Sequence, residues 1–474
     1  MAKEYRYLIN GMWRTSTDRV EVINPYDGKA IGLTYNAGDI DIEDAINASQ
    51  ESFENTKKLP AYRRAEIIDG VVYGLKERAD EIARIITQES GKPINDSRME
   101  VKRAICTFQI ACEETKRLGG KEVPLDIIAG SEKRMGIVRR FPVGPILGIT
   151  PFNFPLNLVA HKVAPAMAVG SPIMLKPAPR TPLSALILGE IVTAAGWPAG
   201  GLNIFLCSNQ KAELLVRDER IRMMTFTGSA IIGWMLNDMA GKKRVTLELG
   251  GNAGVLVHHS ADVKFAAMRC ALGAFSLAGQ SCISVQRIFV HRDLYRTFLE
   301  RFLNAISDLK MGDPMDELTK IGPMIDEDAA KRAEEWVDEA IRGGARLIVG
   351  GKRKENFFEP TVITDTKPDM KLSSEEVFAP IVTVEQYEGF EEAVSKINDS
   401  RYGLQAGIFT TDINEIFYAF NELEVGGVVV NDVPTYRVDN MPYGGVKTSG
   451  LGREGVRYAM EEMTELKLLV LNIS

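Results

Sequence analysis

The sequence has no pair of cysteines at C-x-x-C spacing and no finger-like run of metal ligands; its five cysteines, Cys106, Cys112, Cys207, Cys270 and Cys282, are scattered and odd in number. That distribution excludes a disulfide framework and a structural zinc module, and it reads as reduced thiols with no metal expected. Basic charge is not in excess either. Fifty-seven Lys+Arg against 64 Asp+Glu leave a net charge of -7, which argues against a broad nucleic-acid-binding face. Long apolar runs are missing: the best stretch, 158–174, is broken by His161 and Lys162, so no membrane span is expected. Residues 1–6 are charged where a secretory leader would be apolar. A cytoplasmic protein without nucleic-acid or membrane partners is the expectation.

What is present is the composition of a folded chain: 474 residues, 45% hydrophobic and 26% charged, enough for two large domains with sizeable cores. From Gly144 onward, apolar strands alternate with amphipathic helices. Ile146 to Thr150, Ser171 to Lys176, Leu202 to Leu206, Arg222 to Thr227 and Arg244 to Leu249 read as strands of one parallel sheet. The helix after Lys176 has Thr181 as its expected N-cap, Pro182 in its first turn and Gly196 past its end. Beyond Gly250-Gly251 the alternation restarts, with strands near Gly254 to His258, Arg287 to His291, Arg346 to Val349 and Gly427 to Asn431 separated by long helical stretches. The fold class is α/β with two doubly wound parallel-sheet domains. Residues 40–116 read as helices packed on the first sheet. Leu466 to Leu471 is an apolar strand with no partner nearby in sequence, an open edge suited to another chain.

Four segments carry chemistry, and each also has an inert explanation. Cys282, in Gly279-Gln280-Ser281-Cys282-Ile283-Ser284, is a thiol among small polar residues after a helix, although a lone cysteine is more often a buried bystander. Glu248 lies in an apolar strand that runs into paired glycines; burial there raises a carboxyl's pKa and suits a general base, or the group simply caps a loop. Asn153, in Thr150-Pro151-Phe152-Asn153-Phe154-Pro155, offers an amide N–H to an oxyanion, or only turn geometry. Gly228-Ser229, between strand and helix, could present N–H groups to a pyrophosphate, but the segment is neither G-x-G-x-x-G nor a P-loop.

Together, in this order, these segments resemble the aldehyde dehydrogenase superfamily over nearly the whole chain, from Ile9-Asn10-Gly11 to Leu451-Gly452-Arg453-Glu454-Gly455. The resemblance implies that Cys282 is the nucleophile, Glu248 the base, and Asn153 with the Cys282 N–H the oxyanion hole. It implies NADP or NAD as cofactor, with Lys176 at the adenosine ribose, Gly228 and Ser229 by the pyrophosphate, Glu376 on the nicotinamide ribose and Phe378 beside the ring. Thr150, Phe152, Pro179, Arg180, Gly233 and Leu249 complete the expected cofactor contacts. It further implies a Rossmann-like cofactor domain over 1–122 and 143–249, a catalytic domain over 250–462, and a small oligomerisation β extension, 123–142 and 463–474, that joins subunits as a homodimer or homotetramer. Three departures stand out: Pro179 where an acidic residue is common, Gly254 where proline is common, and Leu206-Cys207-Ser208 in place of a glycine-rich loop. The first weakens a preference for NAD.

Within the superfamily the chain is most similar to the lactaldehyde dehydrogenase branch, near the phosphonoacetaldehyde and non-phosphorylating glyceraldehyde-3-phosphate dehydrogenases. That likeness rests on residues 155–162 and 437–445. Arg103 and Arg437 match positions that hold a phosphate in those relatives, and His161 follows on the helix after Asn153. Ser281 stands where those relatives carry a further arginine, which favours lactaldehyde, glyceraldehyde or a semialdehyde over a phosphorylated or phosphonate aldehyde. A CoA-acylating enzyme and a catalytically silent paralogue are the alternatives. Glu248 argues against the first and the joint presence of Cys282, Glu248, Asn153 and Glu376 against the second.

Overall fold

Short apolar segments such as Ile146–Ile149 and Ile173–Lys176 are buried at every position, as strands covered on both faces must be. In the computed structural model, which describes residues 3–473, they form the centre of an eight-stranded sheet. Its order is Gly450–Leu451, Arg244–Glu248, Met223–Thr227, Ile146–Ile149, Ile173–Lys176, Leu202–Ile204, Tyr7–Ile9 and Met12–Arg14. The five inner strands are parallel, and an antiparallel strand closes each end of that group. Helices Asp39–Thr56, Ala61–Glu77, Ala79–Ser90 and Ile94–Thr115 supply the expected helical N-terminal portion. Ile67, Val71 and Phe108 from them enter one core with Val159 and Val163.

The Leu183–Ala194 helix starts differently from the sequence expectation. Pro182 occupies the N-cap position, and the cap comes from elsewhere: the Glu89 carboxylate accepts the N–H groups of Leu183 at 2.7 Å and Ser184 at 3.2 Å. Thr181 instead donates its hydroxyl to the Phe152 carbonyl at 3.3 Å.

The second sheet has seven strands, in the order Arg346–Val349, Thr361–Thr364, Ile381–Tyr387, Val285–His291, Ala253–Val257, Gln405–Phe409 and Gly427–Val430. All pair in parallel except the first. Thr361–Thr364, Ile381–Tyr387 and Gln405–Phe409 do not stand out in the sequence. Most or all of their positions are buried, so they lack the alternation that betrays a half-exposed strand.

Thr464–Asn472 finds its partner within its own chain: it runs antiparallel to Arg134–Pro142 along nine residues, from Thr464 opposite Pro142 to Asn472 opposite Arg134. Lys121–Pro124 completes this small sheet on the other side. The terminal strand is thus not waiting for a first partner, but its outer edge pairs with no other strand among the described residues. Leu466, Leu468 and Leu469 on it remain more than half exposed. Just before it the chain returns to the first sheet, with Leu451 opposite Leu247 and Gly450 opposite Glu248. No helix among the described residues is long and apolar enough to cross a membrane.

Candidate active site

The carboxyl ends of the first sheet's strands face the second unit across a cavity of about 500 Å³. Phe152, Asn153, Gly228, Ser229, Glu248 and Leu249 line it from one side, and Ser281, Cys282, Glu376, Phe378, Arg437, Tyr443 and Glu454 from the other. Arg103, from the Ile94–Thr115 helix, closes a third wall. This is where an open α/β sheet exposes strand ends and helix N-termini to a ligand.

Cys282 is delivered by an abrupt turn. Helix Val263–Phe275 ends, and Leu277 and Ala278 adopt left-handed φ values of 55° and 52°, an arrangement that costs on the order of 1–2 kcal/mol per residue. The loop then passes so close to Gly251 that a β-carbon there would fall 2.2 Å from the Cys282 carbonyl oxygen. The Cys282 Sγ lies 3.2 Å from the Tyr443 hydroxyl. Burial pushes the thiol up to about 12, and the tyrosine bond opposes that rise. Asn153, 7% exposed, donates its amide to the Gln280 carbonyl at 3.0 Å, which fixes it against the cysteine loop.

Glu248 is 3% exposed, and neither carboxyl oxygen has a hydrogen-bond partner among the described residues. Burial, reinforced by the charge of Glu454, raises its pKa well above the usual carboxylate range. Glu454 is itself ionised, held down to about 2 against burial chiefly by the fully buried Lys162 at 3.0 Å. Lys162 also donates to Thr225 and Thr227, so all three of its donors are used. Arg437 reaches Glu454 at 3.2 Å and lies 3.6 Å over the Tyr443 ring. Its Nε is buried without a partner among the described residues.

Arg103 pairs with Asp439 at 2.7 Å. His161 corrects the sequence expectation: it does not line the cavity, its side chain is fully buried, and its Nε2 lies 2.8 Å from Asp439. It therefore stands behind the carboxylate that orients Arg103. Burial would raise the Asp439 pKa, but His161 and Arg103 together hold it well below the ordinary value.

The residues expected at a dinucleotide divide into two groups. Phe152, Gly228, Ser229, Leu249, Glu376 and Phe378 share the cavity. The Phe152 and Phe378 rings meet edge to face at 5.9 Å, with Phe378 held at a left-handed φ of 49°. Glu376 accepts the Gly251 N–H at 3.1 Å, and burial raises its pKa to about 7. Thr150, Lys176, Pro179, Arg180 and Gly233 lie outside that cavity wall. Thr150 Oγ1 is buried and unpartnered among the described residues, a polar atom free for a ligand. Gly233 has no room for a β-carbon, which would sit 2.3 Å from Leu249, so the helix packs tightly on the strand end. Lys176 is buried with a lowered pKa and no carboxylate acting on it. Arg180 is the exception, exposed and bound to Asp326 at 3.2 Å. The set fits a dinucleotide, with Arg180 only at its margin.

Two participants are not legible from local pattern. Tyr443 and Asp439 act through partners that are 161 and 278 or more positions away. Their one sequence signal is the segment 437–445 that already marked the branch.

Residues 13–469 match the aldehyde dehydrogenase family. The chain is 44% identical over 472 residues to 3-sulfolactaldehyde dehydrogenase of Priestia megaterium, covering 99% of this chain and 98% of the relative. It is 37% identical over 469 residues to lactaldehyde dehydrogenase of Methanococcus aeolicus, covering 98% and 99%. Among solved structures it is similar to aldehyde dehydrogenase 21 of Physcomitrella patens in complex with the reaction product succinate, with a TM-score of 0.98 and 47% identity over 100% of this chain and 99% of that one. Glyceraldehyde-3-phosphate dehydrogenase GapN of Methanocaldococcus jannaschii complexed with NADP gives a TM-score of 0.92 and 38% identity over 97% and 99%. The chain belongs to the aldehyde dehydrogenase family and is an NAD(P)-dependent oxidoreductase, its relatives including the lactaldehyde dehydrogenases.

Proposed function

We propose that the protein oxidises a small, polar aldehyde, hydroxylated or with an anion at its far end, to the carboxylate through a thioester on Cys282. The observation that carries this reading is the free, buried Arg437 Nε in the same cavity as Cys282 and Glu248. A guanidinium donor in that position binds an anion or a hydroxyl and disfavours an alkyl chain. The relatives support it, because sulfolactaldehyde, succinate and glyceraldehyde 3-phosphate, in their names, are all anionic. Ser281 keeps the preference with lactaldehyde, glyceraldehyde or a semialdehyde rather than a phosphorylated one.

In the reaction, the Cys282 thiol releases its proton to solvent and Sγ adds as the thiolate to the aldehyde carbon, with the Tyr443 hydroxyl donating to it beforehand. The Asn153 amide and the Cys282 N–H hold the oxyanion that forms. The dinucleotide, when bound, supplies the hydride acceptor. Glu248 then takes a proton from water, which attacks the thioester carbon, and the thiol leaves as the carboxylate forms. Lys176, Thr150, Gly228, Ser229, Glu376 and Phe378 would hold the dinucleotide. We assign 1–122 and 143–249 to cofactor binding and 250–462 to catalysis. Pro179 removes a carboxylate that would repel a 2′-phosphate, so NADP should serve at least as well as NAD.

The open edge of Thr464–Asn472 fits a homodimer or homotetramer that extends the small sheet across subunits. The five free thiols fit the cytosol. Steady-state kinetics over neutral, hydroxylated, carboxylated and phosphorylated aldehydes, each with NAD and NADP, tests the reading. The highest kcat/KM should fall on a short hydroxylated or carboxylated aldehyde; a preference for hexanal would overturn it.

A further inference from the structure

Three of the four histidines, His258, His259 and His291, meet on the second sheet, far from Cys282 in function and sharing none of its cavity. His258 follows directly on the strand Ala253–Val257, and His291 ends the neighbouring parallel strand. Glu415, from the first turn of helix Ile413–Glu422, enters from the side. One ligand atom each from His258, His259 and Glu415 lies within 4.8 Å of the others.

The geometry points to a binding site for one divalent transition-metal ion, of the zinc class, held by His258 Nε2, a ring nitrogen of His259 and Glu415 Oε1. Two nitrogens and one carboxylate oxygen are the donor set that such ions prefer, and water can take the fourth position. His258 Nε2 and Glu415 Oε1 are 2.7 Å apart. A metal at bond lengths of about 2.0–2.2 Å can replace a proton on Nε2 and reach Glu415 Oε1 after a shift of less than about 1 Å in the carboxylate.

The supporting groups make this replacement cheap. His258 Nδ1 lies 2.7 Å from the Tyr387 hydroxyl. When the metal takes Nε2, the proton moves to Nδ1 and is donated to Tyr387 Oη. The tyrosine proton then turns to the Val257 carbonyl, which lies 3.4 Å away. No proton is lost, and the ring is held in the tautomer that ligation needs. Glu415 is oriented from its other oxygen, where Oε2 accepts the Thr410 hydroxyl at 2.6 Å. His259 is exposed, so an ion can enter from solvent.

The test is titration of the tag-free full chain with cobalt(II) chloride, followed by visible absorption, and competition with zinc chloride. One equivalent should bind with the intense absorption of a four-coordinate site and no thiolate charge-transfer band, equally well in Cys282→Ser. His259→Asn, at an exposed position, and Glu415→Gln should each weaken binding at least about tenfold while aldehyde oxidation persists. No stoichiometric binding, binding unaffected by both variants, or binding lost in Cys282→Ser would each overturn the proposal.

Discussion

Cys282 Sγ and Tyr443 Oη lie 3.2 Å apart at the bottom of the cavity, and the Arg437 guanidinium covers the tyrosine ring at 3.6 Å. A thiol whose pKa burial drives up to about 12 thus has one neutral donor placed to stabilise its anion. Tyr443→Phe removes that donor and raises the thiol's pKa further. Alkylation of Cys282 by iodoacetamide should move to higher pH, and kcat/KM should drop about tenfold to a hundredfold, the ~1.5–3 kcal/mol of a hydrogen bond to a charged group. An unmoved alkylation profile would show that Tyr443 only fills space.

Cys282→Ala should lower aldehyde oxidation at least about a thousandfold, since no other cysteine lines the cavity, and leave dinucleotide binding intact. Glu248→Gln should behave differently: one equivalent of reduced cofactor in a fast burst, then slow turnover. Rapid-quench or stopped-flow measurement separates the two. A uniformly slow Glu248→Gln without a burst would place that carboxylate before the hydride step.

The Glu454 charge raises the pKa of Glu248, second only to burial. Glu454→Gln removes that anion and leaves the Lys162 cation uncompensated, and both changes favour ionised Glu248. The rising limb of deacylation with pH should therefore move toward acid. Loss of the buried Lys162–Glu454 pair should also cost about 3–5 kcal/mol of stability, read as a lower Tm. A limb that stays in place while the Tm falls would restrict Glu454 to a structural part.

Arg437→Leu and Arg103→Leu should each raise KM for the best anionic or hydroxylated aldehyde about tenfold or more, and spare hexanal. Asp439→Asn should act on the same substrates through Arg103, which it orients at 2.7 Å, and more weakly than either arginine variant. Equal losses on every aldehyde would mean that the two guanidiniums serve the fold alone.

Deletion of residues 465–474 removes the strand that pairs with Arg134–Pro142 and exposes that strand in its place. Sedimentation should show a smaller assembly than the full chain forms. Identical masses before and after deletion would take the terminal strand out of the interface.

Reading the sequence locates the strand ends well because Glu248, Asn153 and Gly228 each sit where an apolar run stops, and such stops are local. It locates Cys282, Arg103 and Arg437 through resemblance, and the cavity contains all of them. What it misses depends on direction and distance. His161 is on the helix expected, but a helix has a buried face, and that face turns the ring to Asp439 instead of the cavity. Thr181 has the right chemistry for a cap, yet Glu89, 94 positions before Leu183, accepts the Leu183 N–H instead. Arg180 is near the cofactor residues in sequence, and Asp326 holds it outward.

Glu248 shares its strand end with Gly450, and Arg437, Tyr443 and Glu454 all come from the same late stretch of chain. A ribosome that has released everything through Cys282 has made the nucleophile, the base and most of the first sheet, but neither the strand that closes the base's flank nor the groups that set the charge around it. Domains fold as they emerge, N-terminal first, so an aldehyde-reactive thiol is exposed on the nascent protein before its surroundings exist. Burial is what raises the Cys282 pKa in the finished site, so a chain terminated before Tyr443 leaves the thiol nearer its ordinary pKa and without the Tyr443 and Glu454 that line the completed cavity.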